Sequence, residues 1–521
     1  MAAALTFTVS GCSDFLEEPI RGQQDMENYF STEDECAKQV SGCYQSVAYD
    51  DWWQIYKFYV AGDMCTDDEW MGNTTQDPGE YLHLAHYTGN TISAGNSCQN
   101  FWQYRYKGIL QCNIAINRIP GVKFNDESLQ KRYIAEAKFL RAFEYFDLVK
   151  NFGGVPLVLD LKMPSEVAGI ERASKEETYA QIEKDLLEAI PDLPVRSAYN
   201  SKDLGRVTKG AAQGLLGKVY LYQEKYKEAE VQLKAVIDSK EYQLLDNFGD
   251  VWSMDHNNSK ESLFEVQTNS DISYSLGERI SVVVGSRDDS GWSWGLPTSN
   301  LEKAFEDAGD SVRLKWTILH DGQTSVPNDP TWTKDNPYVI SPSKHKSARC
   351  NMKLYIPVAK RPSPYDAPHI PLNYRLLRYA DVLLMYAEVE NALGKDAEAC
   401  TALNEVRARV KLTPVTVSGK ELRNAIRLER RLELALEDNR LYDLRRWKDD
   451  NGKPAIDNIM GPNGSFVHYN LYESTDKYEK ENKGESSDKG ITFKEGRDEL
   501  FPIPNSEIIM SNGSIKQNPL Y

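Results

Sequence analysis

Cysteine and histidine are scarce in this chain: 8 and 7 in 521 residues. No Cys-x-x-Cys pair and no His-Glu-x-x-His occurs, so the common zinc signatures are missing. His83 and His86 supply two ligands at most, with no third nearby, and two ligands make a weak site. A Gly-x4-Gly-Lys-Ser/Thr phosphate loop is also lacking. We therefore expect no metal, no cofactor and no catalytic residues. Beyond the first dozen residues nothing approaches the ~20-residue apolar run of a membrane-spanning helix. Positive charge is in deficit, 61 Lys and Arg against 78 Asp and Glu, for a net charge of −17. That argues against a nucleic-acid surface, where clustered positive charge is expected. It leaves the ligand open, because a site can differ in sign from the whole surface.

What the chain has is helical periodicity. Apolar residues recur at helical spacing from Arg378 to Glu388, Gly394 interrupts, and Asp396 begins a second helix. Two helices about a short polar turn form a tetratricopeptide-like hairpin. A second hairpin spans Thr208 to Ile237. Further helices are expected at residues 31–50, with Ser31 or Thr32 as cap, at Phe101 to Ile119 and at Ser128 to Asn151. The hairpins near 137, 215 and 390 are unevenly spaced, so the repeat is degenerate. The expected fold is all-α, helical hairpins in a right-handed superhelix. From Leu422 a third helix of the last group puts Leu428, Leu432 and Ala435 on one side. Glu429, Glu433 and Glu437 fall on the other, a stripe expected to be a solvated, salt-bridged face.

The largest insertion, residues 263–373, is rich in loops, with short strands expected at Leu263–Gln267 and Ile280–Val284. Loops on a rigid scaffold tend to carry function. Within it, Gly291-Trp-Ser-Trp-Gly295 matches the Gly-x-Ser-x-Gly nucleophile elbow by letter. The elbow needs a strand directly before it and a helix directly after, whereas Arg287-Asp-Asp-Ser and Pro297 stand there. Aromatics are the stronger signal: 10 Trp, 29 Tyr and 16 Phe. Sugar rings stack their C–H faces on Trp and Tyr, while Asp, Asn and Arg bond the hydroxyls. Trp292, Trp294 and Tyr274 form one candidate ligand-binding group. Trp52, Trp53 and Trp70, beside Asp67 and Asp68, form the other.

At the start of the chain, residues 1–13 carry no charged side chain, and a short apolar run ends in Val9-Ser-Gly-Cys12. Small residues before such a Cys are what a lipoprotein signal peptidase accepts. Residues 1–11 are thus expected to be a signal peptide and Cys12 the lipidated residue. The run is short and no Lys or Arg precedes it, which points to a truncated start. The other seven cysteines are expected to be mostly buried thiols without disulfides.

Several stretches carry a resemblance. Arg378-Tyr-Ala-Asp-Val-Leu-Leu-Met-Tyr-Ala-Glu388, Glu429-Arg-Arg-Leu-Glu-Leu-Ala-Leu-Glu437 and Asp443-Leu-Arg-Arg-Trp447 resemble signatures of the SusD/RagB family. Phe152-Gly-Gly-Val-Pro-Leu157 and the terminal Gln517-Asn-Pro-Leu-Tyr521 are similar to it too, with Leu520 where Gly is usual. The resemblance implies one SusD-like domain over residues 12–521. It also implies a non-catalytic lipoprotein on the outside of an outer membrane, anchored by lipid. Such a protein binds an oligosaccharide and delivers it to a SusC-like TonB-dependent transporter. Two alternatives are a surface glycoside hydrolase or esterase using the same aromatic cleft, and an oligopeptide-binding importer subunit of the RagB type. Replacing Cys12 by Ala is expected to release the protein from membranes on fractionation. Unchanged membrane retention of that variant would contradict the anchor.

Overall fold

The computed structural model stacks these periodic segments in pairs. It describes residues 30–47, 55–72, 79–88, 95–271, 273, 276–363, 365, 369–468 and 490–521. The stretch expected to be a signal peptide (residues 1–11), Cys12, Trp52, Trp53 and Tyr274 lie outside the described residues.

Helix α1 (Glu33–Gln45) starts where its cap predicts: Thr32 Oγ1 accepts from the Glu35 amide, and the Glu35 carboxylate accepts from the Thr32 amide. Helices α2 (Ile55–Met64), α3 (Gly79–Ala85), α4 (Gly95–Arg118) and α5 (Glu127–Phe152) follow. Helix α5 packs between α4 and, beyond a helical turn α6 (Pro164–Val167), α7 (Lys175–Ala189). Surrounded in this way, α5 buries charged residues as well as its Phe139/Phe146 stripe. Among them Glu144 is paired with Arg105 at 2.7 Å, and Arg141 with Asp185 at 2.6 Å. The next hairpin is α8 (Lys209–Leu221) and α9 (Tyr226–Ser239). Its helices approach so closely that a Cβ on Gly217 would stand 2.6 Å from Leu233 Cγ, a contact only glycine avoids.

The insertion follows. Strand Ser262–Val266 pairs antiparallel with Tyr374–Arg378, so both ends of the insertion are stitched together at the scaffold. Ile280–Val284 is not the strand expected from its apolar run but a short helix, α10. Length and apolarity alone do not separate the two. The local cause is Glu278, whose carboxylate accepts from the amides of Ile280 and Ser281 and so caps a helical turn. Helices α11 (Ser299–Asp307) and α12 (Ser311–Thr317) come next, and Ile318–His320 pairs antiparallel with Arg349–Asn351. After the insertion come the hairpin α13 (Tyr379–Ala392) and α14 (Asp396–Arg409), with α13 against α9, then α15 (Gly419–Glu433) and α16 (Arg440–Arg446). No helix among the described residues is long and apolar enough to cross a membrane. The seven described cysteines are free thiols, six of them buried.

The acidic stripe is the main departure from expectation. Glu429, Glu433 and Glu437 are buried, while Leu428, assigned to the apolar side, is 43% exposed. Helix α15 turns Leu422, Ile426, Glu429 and Glu433 inward together. Leu432 and Ala435 instead join a small satellite core with Leu301, Phe305 and Ile318 of the insertion. The Glu partners come from distant segments. Arg378 donates to Glu433 at 2.6 Å, to Glu437 at 2.8 Å and to Glu261 at 3.0 Å. Arg313 of α12 reaches Glu429 at 2.6 Å and Glu433 at 3.1 Å. Arg409 pairs with Glu261 and Glu433, and Lys353 with Glu437. Spacing alone does not distinguish this face from a solvated one, because what buries it lies elsewhere in the chain. Burial works against ionisation of Glu433, yet Arg409, Arg378 and Arg313 together hold it well below the usual carboxylate range.

Removing one member of a buried charge cluster leaves the others uncompensated, at about 3–5 kcal/mol. Arg378→Met is expected to lower stability by that amount in urea unfolding; a loss under about 1 kcal/mol would show the cluster to be as weak as a surface pair.

Candidate ligand-binding face

The Gly291-Trp-Ser-Trp-Gly295 segment lies against α10. After a turn at Arg287–Asp289, the chain doubles back: Trp292 donates its amide to Val282 O at 2.9 Å, and Trp294 donates to Val283 O at 3.0 Å. A Cβ on Gly291 would fall 2.2 Å from the Gly285 carbonyl, so this tight reversal requires glycine. The two tryptophans part company here. Trp294 points inward, 3% exposed, with its ring 5.4 Å from that of Tyr81. Trp292 is half-buried at the surface, its ring 5.9 Å from Trp294 and steeply inclined to it.

Other aromatics stand on the same insertion. Arg361 forms a two-pronged pair with Asp289, both contacts at 2.6 Å, and its guanidinium lies 4.6 Å from the Tyr365 ring centroid. Trp332 donates its indole N–H to the Tyr355 hydroxyl at 2.6 Å, and that hydroxyl donates to Asp329 at 2.7 Å. Trp332, Tyr355 and Tyr365 are half-buried. The sequence expectations did not include them; their signal is an aromatic set among Pro and Asp residues, in or beside what passes for connecting loop. Bonded edges with part of each ring accessible suit a stacking platform.

The second expected cluster is placed otherwise. Asp67, Asp68 and Trp70 are buried. Glu69–Trp70 pairs antiparallel with Leu296–Pro297, and Thr298 bonds the carbonyls of Asp67 and Asp68 at 2.6 and 2.9 Å. The two groups named from sequence therefore meet, but Asp67 and Asp68 face inward to Arg440 and Arg431. Burial opposes ionisation of Asp67, and those two arginines more than offset it, holding the carboxyl at about 2. These residues fasten the loop to the scaffold and present no side chain to a ligand. The charge partners that bury them sit more than 350 positions along the chain, out of reach of any local sequence pattern.

The elbow-like motif turns its serine inward. Ser293 is fully buried, and its Oγ accepts from the Arg287 amide at 2.8 Å. Nearby, Ser286 Oγ lies 3.2 Å from His345 Nε2, an arrangement with the look of a nucleophile and its base. Both residues are 0% exposed, and His345 Nδ1 bonds Ser341 O at 2.8 Å while Asp288 stands 3.8 Å away. A substrate carbonyl has no approach to Ser286, so the contact fixes the loop. Among the described residues no group of three His, Cys, Asp or Glu is placed to hold a metal ion.

A helical-hairpin scaffold carrying an aromatic, loop-rich insertion is the architecture of the SusD-like proteins, and the comparisons match the chain to them. Residues 251–521 match the model of the SusD family, and residues 14–221 match a model described as starch-binding associating with outer membrane. The chain belongs to the SusD family. It is 27% identical to SusD-like protein P2 of Formosa agariphila, over 99% of this chain and 98% of that one. A laminarin-binding SusD-like protein of known structure is 28% identical, with a TM-score of 0.76 over 94% of this chain and 100% of that one. Surface glycan-binding protein A from Bacteroides thetaiotaomicron, solved with laminarihexaose, shares the fold at 20% identity and a TM-score of 0.71, over 94% and 100% of the two chains.

Behind the Glu69–Trp70 strand lies a group of buried acids. Asp63 accepts from the Asp438 amide at 2.7 Å through one oxygen, while its other oxygen is buried without a hydrogen-bond partner among the described residues. Burial, with the nearby Asp68 and Glu437, pushes it up to about 7. A carboxyl raised in the folded state contributes stability at low pH that is lost as pH climbs from about 4 through that value. The melting temperature is expected to fall between about pH 4 and 7, and Asp63→Asn to flatten that fall in calorimetry. Parallel profiles for the two proteins would contradict the assignment.

Proposed function

We propose that the protein is a non-catalytic glycan-binding lipoprotein of the outer membrane. On this reading it takes up an oligosaccharide on the insertion face around Trp292 and passes it to a SusC-like transporter. The observation that carries the reading is Trp292, half-buried at the surface on a tight reversal whose backbone is bonded to α10. A fixed indole face gives a sugar ring apolar area at little ordering cost, and the Arg361–Asp289 pair beside Tyr365 supplies polar groups for hydroxyls. Trp52, Trp53 and Tyr274 belong to the same proposal as further ligand contacts. Trp294, by its burial, supports Trp292 from beneath. Non-catalytic binding is favoured because the Ser286–His345 contact near the face is sealed from solvent.

The similar laminarin-binding protein makes laminarin oligosaccharides the first ligands to try. Once a glycan is found by calorimetry, Trp292→Ala is expected to weaken binding by ~1–3 kcal/mol, the scale of a large apolar contact, with the fold intact. Trp294→Ala is expected to cost about 3–5 kcal/mol of stability instead, as for an aromatic removed from a core. Wild-type affinity in Trp292→Ala would remove that residue from the site, and release of shorter sugars by purified protein would overturn the non-catalytic reading.

A further inference from the structure

A cavity of about 480 Å³ opens on the helical scaffold, among elements that contribute nothing to the insertion face. Its walls are the α8–α9 turn, the end of α13, the first turns of α15 and the chain after α16. The size lies within the range of small-molecule sites, ~300–1,000 Å³. Its charge is unlike that of the chain as a whole. Lys420, Arg423, Arg427, Arg446 and Lys448 line it, against Glu224, Glu388 and Asp449.

The acids are already committed. Glu388 accepts from Arg446 at 2.6 and 2.7 Å and from the Trp447 indole at 3.0 Å. Glu224 pairs with Lys448 at 2.5 Å. Asp449 caps its own turn, accepting from the amides of Asn451 and Lys453 and from Asn458. Just outside the lining, Asp450 takes both Lys420 and Arg423. Arg427 is left over. Among the described residues it has no carboxylate partner; its guanidinium donates to the Lys448 carbonyl at 3.1 Å and lies 5.1 Å from the Trp447 ring centroid. Arg423 Nε, buried, has no acceptor among the described residues either. Burial and the neighbouring Arg423 and Arg446 disfavour the charge on Arg427, and Glu388 offsets them only in part. An anion entering here would find a cation held in place by an aromatic face, with donors to spare.

We propose that this cavity is a second ligand site, taking the carboxylate or sulfate group of an acidic sugar, with Arg427 as its principal contact and Arg423 beside it. Half-buried Tyr222 and Tyr226 supply the wall against which the sugar ring lies. The sugar part rests on the reading of the protein as a glycan binder; the anion part does not. The site is independent of the Trp292 face and lets one protein hold a neutral stretch and an acidic unit of a chain at once.

Calorimetry on the mature protein at fixed ionic strength tests it, with glucuronate, glucose 6-sulfate, glucose and sodium sulfate as probes. Glucuronate and glucose 6-sulfate are expected to bind, glucose not, and bare sulfate more weakly than the sulfated sugar. Arg427→Gln is expected to weaken both acidic sugars by about tenfold or more, the scale of a charge-assisted contact, while neutral-glycan binding and melting temperature stay as in wild type. Absence of binding by both acidic sugars to the wild-type protein overturns the site. So does equal affinity of Arg427→Gln and wild type. Sulfate binding as tightly as glucose 6-sulfate overturns the sugar assignment. Loss of neutral-glycan binding by Trp292→Ala with acidic-sugar binding intact supports two sites and separates this proposal from the one above.

Discussion

The buried cluster of Arg378 and Arg313 with Glu433, Glu437 and Glu429 is what the rest of the molecule depends on. Taking such charges out of water is expensive, and their mutual attraction offsets that only where each carboxylate gathers several donors. Glu433 gathers three arginines, from α12, α14 and the strand before α13. No single helix could satisfy it. The cluster can form only when the insertion, the last hairpin and α15 have docked in one register. That gives a physical reason why a large insertion poor in regular structure holds a fixed shape: from within it, Arg313 pairs with Glu429 of α15, and Lys353 with Glu437 just beyond that helix. A second set of pairs does the same at the Glu69–Trp70 strand, where Arg431 and Arg440 grip Asp68 and Asp67.

The ligand face inherits its order from these anchors. The strand at Leu296–Pro297 pairs with Glu69–Trp70, and the Trp292 reversal lies directly before it. Pairing buried Asp67 with arginine therefore fixes, at a few residues' remove, the height and tilt of an indole at the surface. Binding by such a face does not need a favourable net charge. On the proposed reading a neutral sugar would gain from apolar contact and from hydroxyl bonds to Arg361 and Asp289, neither of which the −17 overall opposes.

Much of the scaffold was legible in the sequence. Hairpins α8–α9 and α13–α14 follow from period 3.6 and from small residues where helices cross, and the α1 cap from Thr32 with Glu35. Local rules sufficed because local residues decide those features. The departures share one cause, that the deciding partner is remote. Glu429 and Glu433 looked solvated because Arg313, Arg378 and Arg409 are nowhere near them in sequence. Asp67 and Asp68 looked available for the same reason. Trp292 and Trp294 looked equivalent, and a regular strand would put both on one face; Ser293 between them, at φ 58°, breaks that alternation, so one ring turns out and the other in. Ile280–Val284 became a helix through a carboxylate two residues before it, a capping signal hidden by the β-branched run.

The account stands or falls on whether ligand acts at the insertion face of an otherwise unchanged scaffold. Hydrogen–deuterium exchange of the full chain, with and without a bound neutral glycan, measures this directly. The account predicts added protection at amides of residues 286–297 and 355–365, with α8, α9, α13 and α14 unaltered. Protection confined to the helical hairpins, with the Trp292 reversal untouched, would contradict it.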